Sequence, residues 1–138
     1  MKPKTIERLY LRKAVVALAL ARLAVRFVPA AWILAWARRP PRHINRFGAA
    51  EAAGWVGWAI ETAAAKRWMQ AACLPRALAA QAMLRRRGVA SRLCLGVARD
   101  GAQLSAHAWL ELGQDLIIVG EAQAPSFTRL VEFGGERA

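Results

Sequence analysis

The sequence predicts a single α+β domain in which helices precede a small antiparallel sheet. Apolar residues recur at helical spacing from about residue 6 to residue 87, and from residue 92 onward they alternate with the period of a strand. Helices and strands that occupy separate parts of the chain are typical of the α+β class. A chain of 138 residues is long enough to bury a core of its own, so one domain over residues 1–138 is expected.

The first element is a long basic helix, predicted from Ile6 to Val28 and ended by Pro29. Its basic start and apolar run resemble a signal peptide, but Arg22 and Arg26 interrupt the run, so we expect neither cleavage nor a membrane span. The helix is expected to cover the core, with peripheral contact to the inner membrane face as the alternative. The apolar residues taken to define its face are Leu9, Leu20, Leu23, Ala24 and Phe27.

Three shorter helices are predicted next. The first, residues 30–37, is closed by the linker Arg38-Arg39-Pro40-Pro41, because proline disfavours helix in the residue before it. Another spans Gly48 to Trp68, and a third runs from about Leu74 to Arg87 and stops at Gly88, a residue type favoured at helix ends. Tryptophans at helical spacing are most often core, so one side of the second of these helices is predicted to be buried: Trp55, Trp58, Thr62, Ala65 and Trp68.

Strands are predicted at 92–99, 106–112 and 116–121, separated by the turn signals Asp100-Gly101 and Gly113-Gln114-Asp115. Beyond them, residues 125–138 carry only a short apolar patch and a Gly-Gly tail. The chain therefore divides into N-terminal helices with a Pro-rich linker (1–47), a segment that holds the candidate site residues (48–121) and a C-terminal tail (122–138).

The composition excludes disorder but leaves the kind of partner open. Apolar residues make up 57% of the chain and the formal net charge is +12, whereas disorder requires low hydrophobicity. A basic surface attracts nucleic acid, anionic membranes and acidic peptides alike. Because no nucleic-acid-binding motif accompanies the arginine clusters, no nucleic-acid partner is expected. Two cysteines supply neither a disulfide framework nor a metal cluster, so we expect no metal and a reducing, cytoplasmic location.

The segment CLPRALAAQAMLRRRG places Cys73 at the start of a helix, since Pro75 is tolerated only in the first turn. A thiol there lies at the positive end of the helix, which favours the nucleophilic thiolate, and the unpaired amides of the first turn suit an oxyanion. The alternative is a buried, inert cysteine, the interpretation that we give to Cys94.

A nucleophilic cysteine needs a base, and His107 is the histidine that falls within a predicted strand, whereas His43 lies in the linker. Because side chains alternate across a strand, His107 shares a face with Trp109 and Glu111. If the helix that begins at Cys73 packs across this strand, the two residues can form the pair that cysteine hydrolases and acyl-transferases use.

The segment CLPRALAAQAMLRRRGVASRLCLGV, followed by AHAWLEL and a further strand, closely resembles the transglutaminase-like cysteine leader peptidases of lasso-peptide biosynthesis, the B2 proteins. The resemblance covers roughly residues 71–121. It implies a papain/transglutaminase-like fold and a cysteine protease that removes the leader from a ribosomally made precursor (RiPP) peptide. Cys73 would be the nucleophile and His107 the general acid and base, with no cofactor implied.

The resemblance also implies partners. The precursor's leader peptide would be presented by a small recognition protein, encoded separately because this chain has no room for a fused one. The product would pass to an asparagine-synthetase-like lasso cyclase that uses ATP.

The third catalytic residue departs from the family pattern. Related proteins carry an aspartate near the position of Val119, and the candidates here are Glu121, Asp115 or no carboxylate at all.

Three further residues are predicted to bind substrate, and each also has a structural alternative. Trp109 would stack on substrate or pack beneath the histidine, Glu111 would line the site or be an exposed strand residue, and Arg76 would bind acidic peptide or cap its helix.

Two other functions are compatible with the same sequence features. The same cysteine chemistry serves acyl transfer or deamidation of glutamine, since water and amines intercept the same thioester. A catalytically inactive scaffold that binds peptide or membrane through its basic helices is the second alternative.

Overall fold

The computed structural model describes residues 3–44, 48–66, 72–100, 102–112, 116–119 and 128–134. Within these ranges four helices are followed by four strands, which confirms the α+β class. The elements are α1 (Pro3–Phe27), α2 (Ala30–Arg38), α3 (Ala49–Ala64), α4 (Cys73–Arg86), β1 (Arg92–Asp100), β2 (Gln103–Leu112), β3 (Leu116–Val119) and β4 (Thr128–Gly134). No described helix is long and apolar enough to cross a membrane.

The strands form one antiparallel sheet in the order β3-β2-β1-β4. Strands β1 and β2 pair along their whole length, with Cys94 opposite Trp109 and Gly96 opposite His107. Strand β4 was not anticipated. Its residues read as a short apolar patch in the sequence, yet they add a strand to the edge of β1, a long-range pairing that no local pattern specifies.

Helix α1 is present as predicted, but its buried face differs from the expected one. The expected apolar residues Leu20 and Phe27 are 61% and 71% exposed. The buried positions also recur at helical spacing and alternate large and small side chains: Tyr10, Ala14, Leu18 and Ala21. The two alanines allow the axis of α1 to approach α3 and α4 closely, which turns this face rather than that of Leu20 and Phe27 toward the core.

The tryptophan face predicted for α3 is also wrong as a core face. Trp58 is 40% exposed, and Trp55 is half-buried and stacks on Tyr10 at 5.5 Å between ring centroids. Most of the residues that α3 buries are alanine or glycine: Ala53, Val56, Gly57, Ala59, Ile60, Ala63 and Ala64. A Cβ atom at Gly57 would lie 2.6 Å from the carbonyl oxygen of Ile118, so α3 contacts the backbone of β3 directly through this glycine. Trp68 lies outside the described residues.

Helix α4 runs beneath the sheet and ends as predicted at Gly88, which has a φ of 78°. The amide of Gly88 donates to the carbonyl of Arg85, and the amide of Val89 donates to that of Leu84. This pair of bonds is the Schellman arrangement, in which glycine adopts the left-handed conformation at no steric cost.

Two hydrogen bonds from side chains of α4 connect it to the end of α2. The side-chain amide of Gln81 donates to the carbonyl of Ala37 at 3.1 Å, and Arg85 donates to the same oxygen at 3.3 Å. The guanidinium of Arg85 also lies 3.9 Å above the ring of Trp36. Burial, and then the positive charge of Arg39, lower the pKa of Arg85 from its ordinary value. These contacts keep α4 in a fixed position relative to the N-terminal helices.

Candidate active site

Cys73 is the first residue of α4 and is half-buried. The preceding residue, Ala72, gives the helix no side-chain cap, and Pro75 has no N–H group. Helix geometry therefore leaves the amides of Cys73 and Leu74 without an acceptor inside the helix. The thiol lies beside this positive end, where an oxygen that develops negative charge would be stabilised.

The sulfur of Cys73 lies against strand β2. The backbone amide of Ala108 donates a hydrogen bond to Sγ of Cys73 at 3.3 Å. Helix α4 packs across β2 because small or apolar residues of both elements, among them Ala77 and Ala108, share the core. This backbone donor was missed in the sequence analysis, since only the packing of the helix on the strand reveals it.

His107 immediately precedes Ala108 on β2 and is half-buried. Its partner across β1 is Gly96, which carries no side chain beside the imidazole on that face of the sheet. The structure therefore brings the thiol of Cys73 to the backbone of the strand segment that carries His107. The other histidine, His43, follows α2 in the linker and is exposed.

A buried carboxylate lies further along the same strand. Glu111 is 2% exposed, and its Oε2 accepts a hydrogen bond from Sγ of Cys94 at 2.8 Å and from the indole Nε1 of Trp109 at 3.0 Å. Arg92 places a guanidinium nitrogen 3.9 Å from its other oxygen. Glu111 is thus not an exposed strand residue. The register that pairs Cys94 with Trp109 explains the cluster, because cross-strand partners share a face.

The family of the protein follows from a match between residues 14–132 and the transglutaminase-like superfamily, a span that includes α4 and the whole of β2. The chain belongs to the transglutaminase-like superfamily. Members of this superfamily include cysteine proteases and acyl transferases, and they are generally catalytic. No curated protein and no solved structure matches the chain significantly.

The residues assigned to substrate binding have different environments in this transglutaminase-like domain. Trp109 is 2% exposed and, like Glu111, lies below the surface, which favours packing under the site over contact with substrate. Arg76 is accessible. One of its guanidinium nitrogens lies 3.2 Å from Oε2 of Glu61, in a pair whose side chains are 34% and 44% exposed.

The candidates for a third catalytic group, Asp115 and Glu121, lie outside the described residues. Val119, the position near which related proteins carry an aspartate, lies opposite Leu110 in the β2–β3 register. Among the side chains that the structure describes, no group of three or more metal-ligating residues lies together.

Proposed function

We propose that this transglutaminase-like protein is a cysteine peptidase that removes the leader from a ribosomally made lasso-peptide precursor. The observation that carries the catalytic part is the contact between Sγ of Cys73 and the amide of Ala108, next in the chain to His107. It puts a thiol at a helix start against the backbone of the residue next to His107, which supports the pairing of a nucleophile with a base that cysteine catalysis needs.

In the first step the thiolate of Cys73 attacks the carbonyl carbon of the scissile peptide bond. A C–S bond forms and the carbonyl oxygen takes the negative charge, which the amides at the start of α4 are placed to stabilise. The C–N bond then breaks as the imidazolium of His107 gives its proton to the leaving amine. The products of this step are the free core peptide, which begins with the new amine, and the leader held as a thioester on Cys73.

In the second step His107 accepts a proton from water, which attacks the thioester. The C–S bond breaks, the leader leaves as a carboxylic acid that loses its proton to solvent, and the Cys73 thiolate and the His107 imidazolium are restored. The Ala108 amide serves both steps in the same way. A hydrogen bond from a backbone N–H to the sulfur stabilises the thiolate whenever the sulfur carries charge.

The proposed partners are those of a leader peptidase in this biosynthesis. A separate recognition protein presents the leader, and an asparagine-synthetase-like cyclase receives the core peptide with its free amine. The +12 net charge suits an acidic leader or an acidic partner surface.

The direct test is incubation of the protein with a precursor peptide and a recognition protein, followed by mass spectrometry of the products. We expect two fragments that together equal the precursor plus one water. Cys73→Ala and His107→Ala should each abolish the cleavage, and Cys94→Ala serves as the matched control because it removes the other thiol, which is buried and donates to Glu111. An intact precursor in all four reactions would contradict the proposal.

The same experiment separates the alternative reactions. Acyl transfer would join an amine to the substrate with loss of ammonia, and deamidation would convert a glutamine to glutamate without cutting the chain. Either mass change without two fragments would place the protein among the acyl transferases of its superfamily. A scaffold without activity would give no product and a Cys73 no more reactive than a free thiol.

The third catalytic group is tested by Glu121→Gln and Asp115→Asn in the cleavage assay. A carboxylate that orients the imidazole holds the correct tautomer, so its loss lowers kcat without removing the nucleophile. We propose Glu121 for this role, and an unchanged kcat in Glu121→Gln would refute it. If neither variant is slower, a backbone carbonyl or water orients His107.

A further inference from the structure

An apolar groove with a basic rim and a volume of about 890 Å³ lies between α1, α2 and the middle and end of α4. Its α4 lining begins at Leu78 and continues to Arg86, which corresponds to roughly 8–20 Å along the helix axis from Cys73. Neither Cys73 nor a residue of β2 is among the described lining, so the groove is separate from the candidate active site.

Small residues make the floor of the groove and large apolar residues make its walls. The floor includes Ala21 and Ala79, which are buried where α1 and α4 approach closely. Side chains of the walls are left in solvent: Val16 is 58% exposed, Leu20 is 61% exposed and Trp32 is 70% exposed. Burying such side chains removes apolar surface from water, which favours an occupant that has large apolar side chains of its own.

The charge around the groove selects the chemistry of that occupant. The charged residues among the described lining are all basic and lie along α1 and the last turn of α4: Arg12, Lys13, Arg86 and Arg87. Arg87 is held in position by the ring of Tyr10, 4.5 Å below its guanidinium. A segment that fits here carries carboxylates beside its apolar side chains.

We infer that this groove docks an amphipathic helix with acidic flanks that belongs to a second protein. A helix places large side chains at i, i+3, i+4 and i+7 on one face, and these would enter the space over the alanine floor. Its flanking carboxylates would meet the four basic residues of the rim. The inference does not depend on the reaction that Cys73 performs.

The shape and charge argue against two other occupants. A flat bilayer surface would touch the walls but leave the floor of a concave groove unfilled. A second copy of this chain would bring two basic rims together in a protein whose net charge is already +12, and like charges oppose that contact.

The test measures binding of a designed helical peptide of about 18 residues, five turns long, with leucines on one face and glutamates around them. A second peptide has lysines in place of the glutamates. We expect the acidic peptide to bind with a Kd on the order of 10 μM that weakens with added salt, and the basic peptide to bind at least about tenfold more weakly. Equal affinity for both peptides, or no binding of either, would overturn the inference.

Two pairs of matched variants locate the binding site. Leu20→Asp should weaken binding of the acidic peptide roughly tenfold, because it puts a carboxylate on the apolar wall. Leu104→Asp makes the same change at a residue that is 70% exposed on β2 and should leave binding unchanged. Likewise Arg12→Glu should weaken binding, whereas Arg8→Glu, at an exposed position one turn away that does not line the groove, should have a much smaller effect. Equal effects within a pair would refute the site.

The two other possible occupants of the groove, a lipid bilayer and a second copy of this chain, give different results with the same purified protein. Sedimentation with phosphatidylglycerol vesicles that is abolished by Leu20→Asp, in a protein that does not bind the acidic peptide, would assign the groove to lipid. A dimer in sedimentation equilibrium that Leu20→Asp dissociates would assign it to a second copy. Either result overturns the inference, whereas a monomer that binds the acidic peptide and leaves vesicles in the supernatant supports it.

Discussion

The sulfur of Cys73 accepts a hydrogen bond from the backbone amide of Ala108 at 3.3 Å, although 35 positions separate the two residues. This contact joins the start of α4 to the middle of β2, so the thiol and the strand that carries His107 are positioned by one interface. The donor is a backbone group, which cannot adopt another rotamer. The placement of the sulfur thus depends on helix-on-sheet packing rather than on a flexible side chain.

The two cysteines are predicted to react very differently with iodoacetamide in the folded protein. Cys73 is half-buried at a helix start, whereas Cys94 is fully buried and donates to Glu111. Near neutral pH we expect a single adduct, on Cys73, formed faster than on a free thiol because His107 accepts its proton in the proposed catalytic pair. Peptide mapping by mass spectrometry identifies the labelled residue.

Denaturation is the control for this labelling experiment, since both thiols should then be modified. In His107→Ala the rate at Cys73 should fall toward that of a free thiol, because the imidazole no longer takes the proton. A native protein labelled on Cys94, or a Cys73 rate that His107→Ala leaves unchanged, would contradict the pairing of these residues.

The buried carboxylate of Glu111 is predicted to stabilise the fold by linking β1 to β2. Glu111→Gln should lower the free energy of unfolding by about 1–3 kcal/mol, since the neutral amide loses the charge that strengthens the bonds from the indole N–H and the thiol, and turns an NH2 group either toward these donors or toward Arg92. Urea denaturation followed by tryptophan fluorescence measures the change.

Glu61→Gln is the matched control for Glu111→Gln. It makes the same substitution at a side chain that is 44% exposed and paired with Arg76, where an ion pair contributes below about 1 kcal/mol. If the two variants were equally stable, the hydrogen bonds of Glu111 would contribute nothing to the fold.

Two glycines of α3 should respond in opposite directions to alanine. At Gly57 the added Cβ would lie 2.6 Å from the carbonyl oxygen of Ile118, so either α3 or β3 must move. We expect Gly57→Ala to destabilise the protein by about 1–3 kcal/mol, the usual cost of overpacking. Thermal unfolding followed by circular dichroism reports the change.

Gly54, one turn earlier, has nothing within 4 Å of the position of a Cβ. Gly54→Ala should therefore stabilise the protein by about 0.5–1 kcal/mol, because alanine has less conformational freedom to lose in a helix. A stabilising Gly57→Ala would show that α3 does not approach the backbone of β3 as described.

Local patterns were enough to predict most elements but not which faces they bury. The start of α4 at Cys73 and its end at Gly88 follow from proline and glycine rules that act within one turn. The buried faces of α1 and α3 depend on how closely three helices approach. There the small residues Ala14 and Gly57 are buried, while the large Leu20 and Trp58 remain exposed.

In the candidate site, too, the sequence predicted which residues share a face of one strand, but not the contacts between separate elements. The alternation of β2 placed His107, Trp109 and Glu111 on one face, and the register with β1 agrees. The bond between Cys94 and Glu111 needs two strands to be aligned, and the bond between Cys73 and Ala108 needs a helix to lie on them. Neither alignment is encoded by spacing within a single segment, and so neither bond was predicted.

Arg76 provides the last prediction, which rests on the proposed peptidase function. It lies one turn after Cys73 and pairs with Glu61 on α3, and both side chains are accessible to a peptide. If Arg76 binds a carboxylate of the substrate, Arg76→Ala should raise KM roughly tenfold with little change in kcat, because uniform binding of substrate and transition state is lost. Steady-state cleavage of the precursor peptide gives both constants.

Glu61→Gln distinguishes substrate binding by Arg76 from a purely structural ion pair. Removing Glu61 takes away one group that competes with the substrate for the guanidinium, so KM should stay the same or fall in this variant. An ion pair that serves only to hold α4 against α3 makes the opposite prediction: the two single variants and the double variant would all behave alike, since each removes the same bond. Equal rises of KM in Arg76→Ala and Glu61→Gln would therefore exclude Arg76 as a substrate-binding residue and leave it as a contact between the two helices.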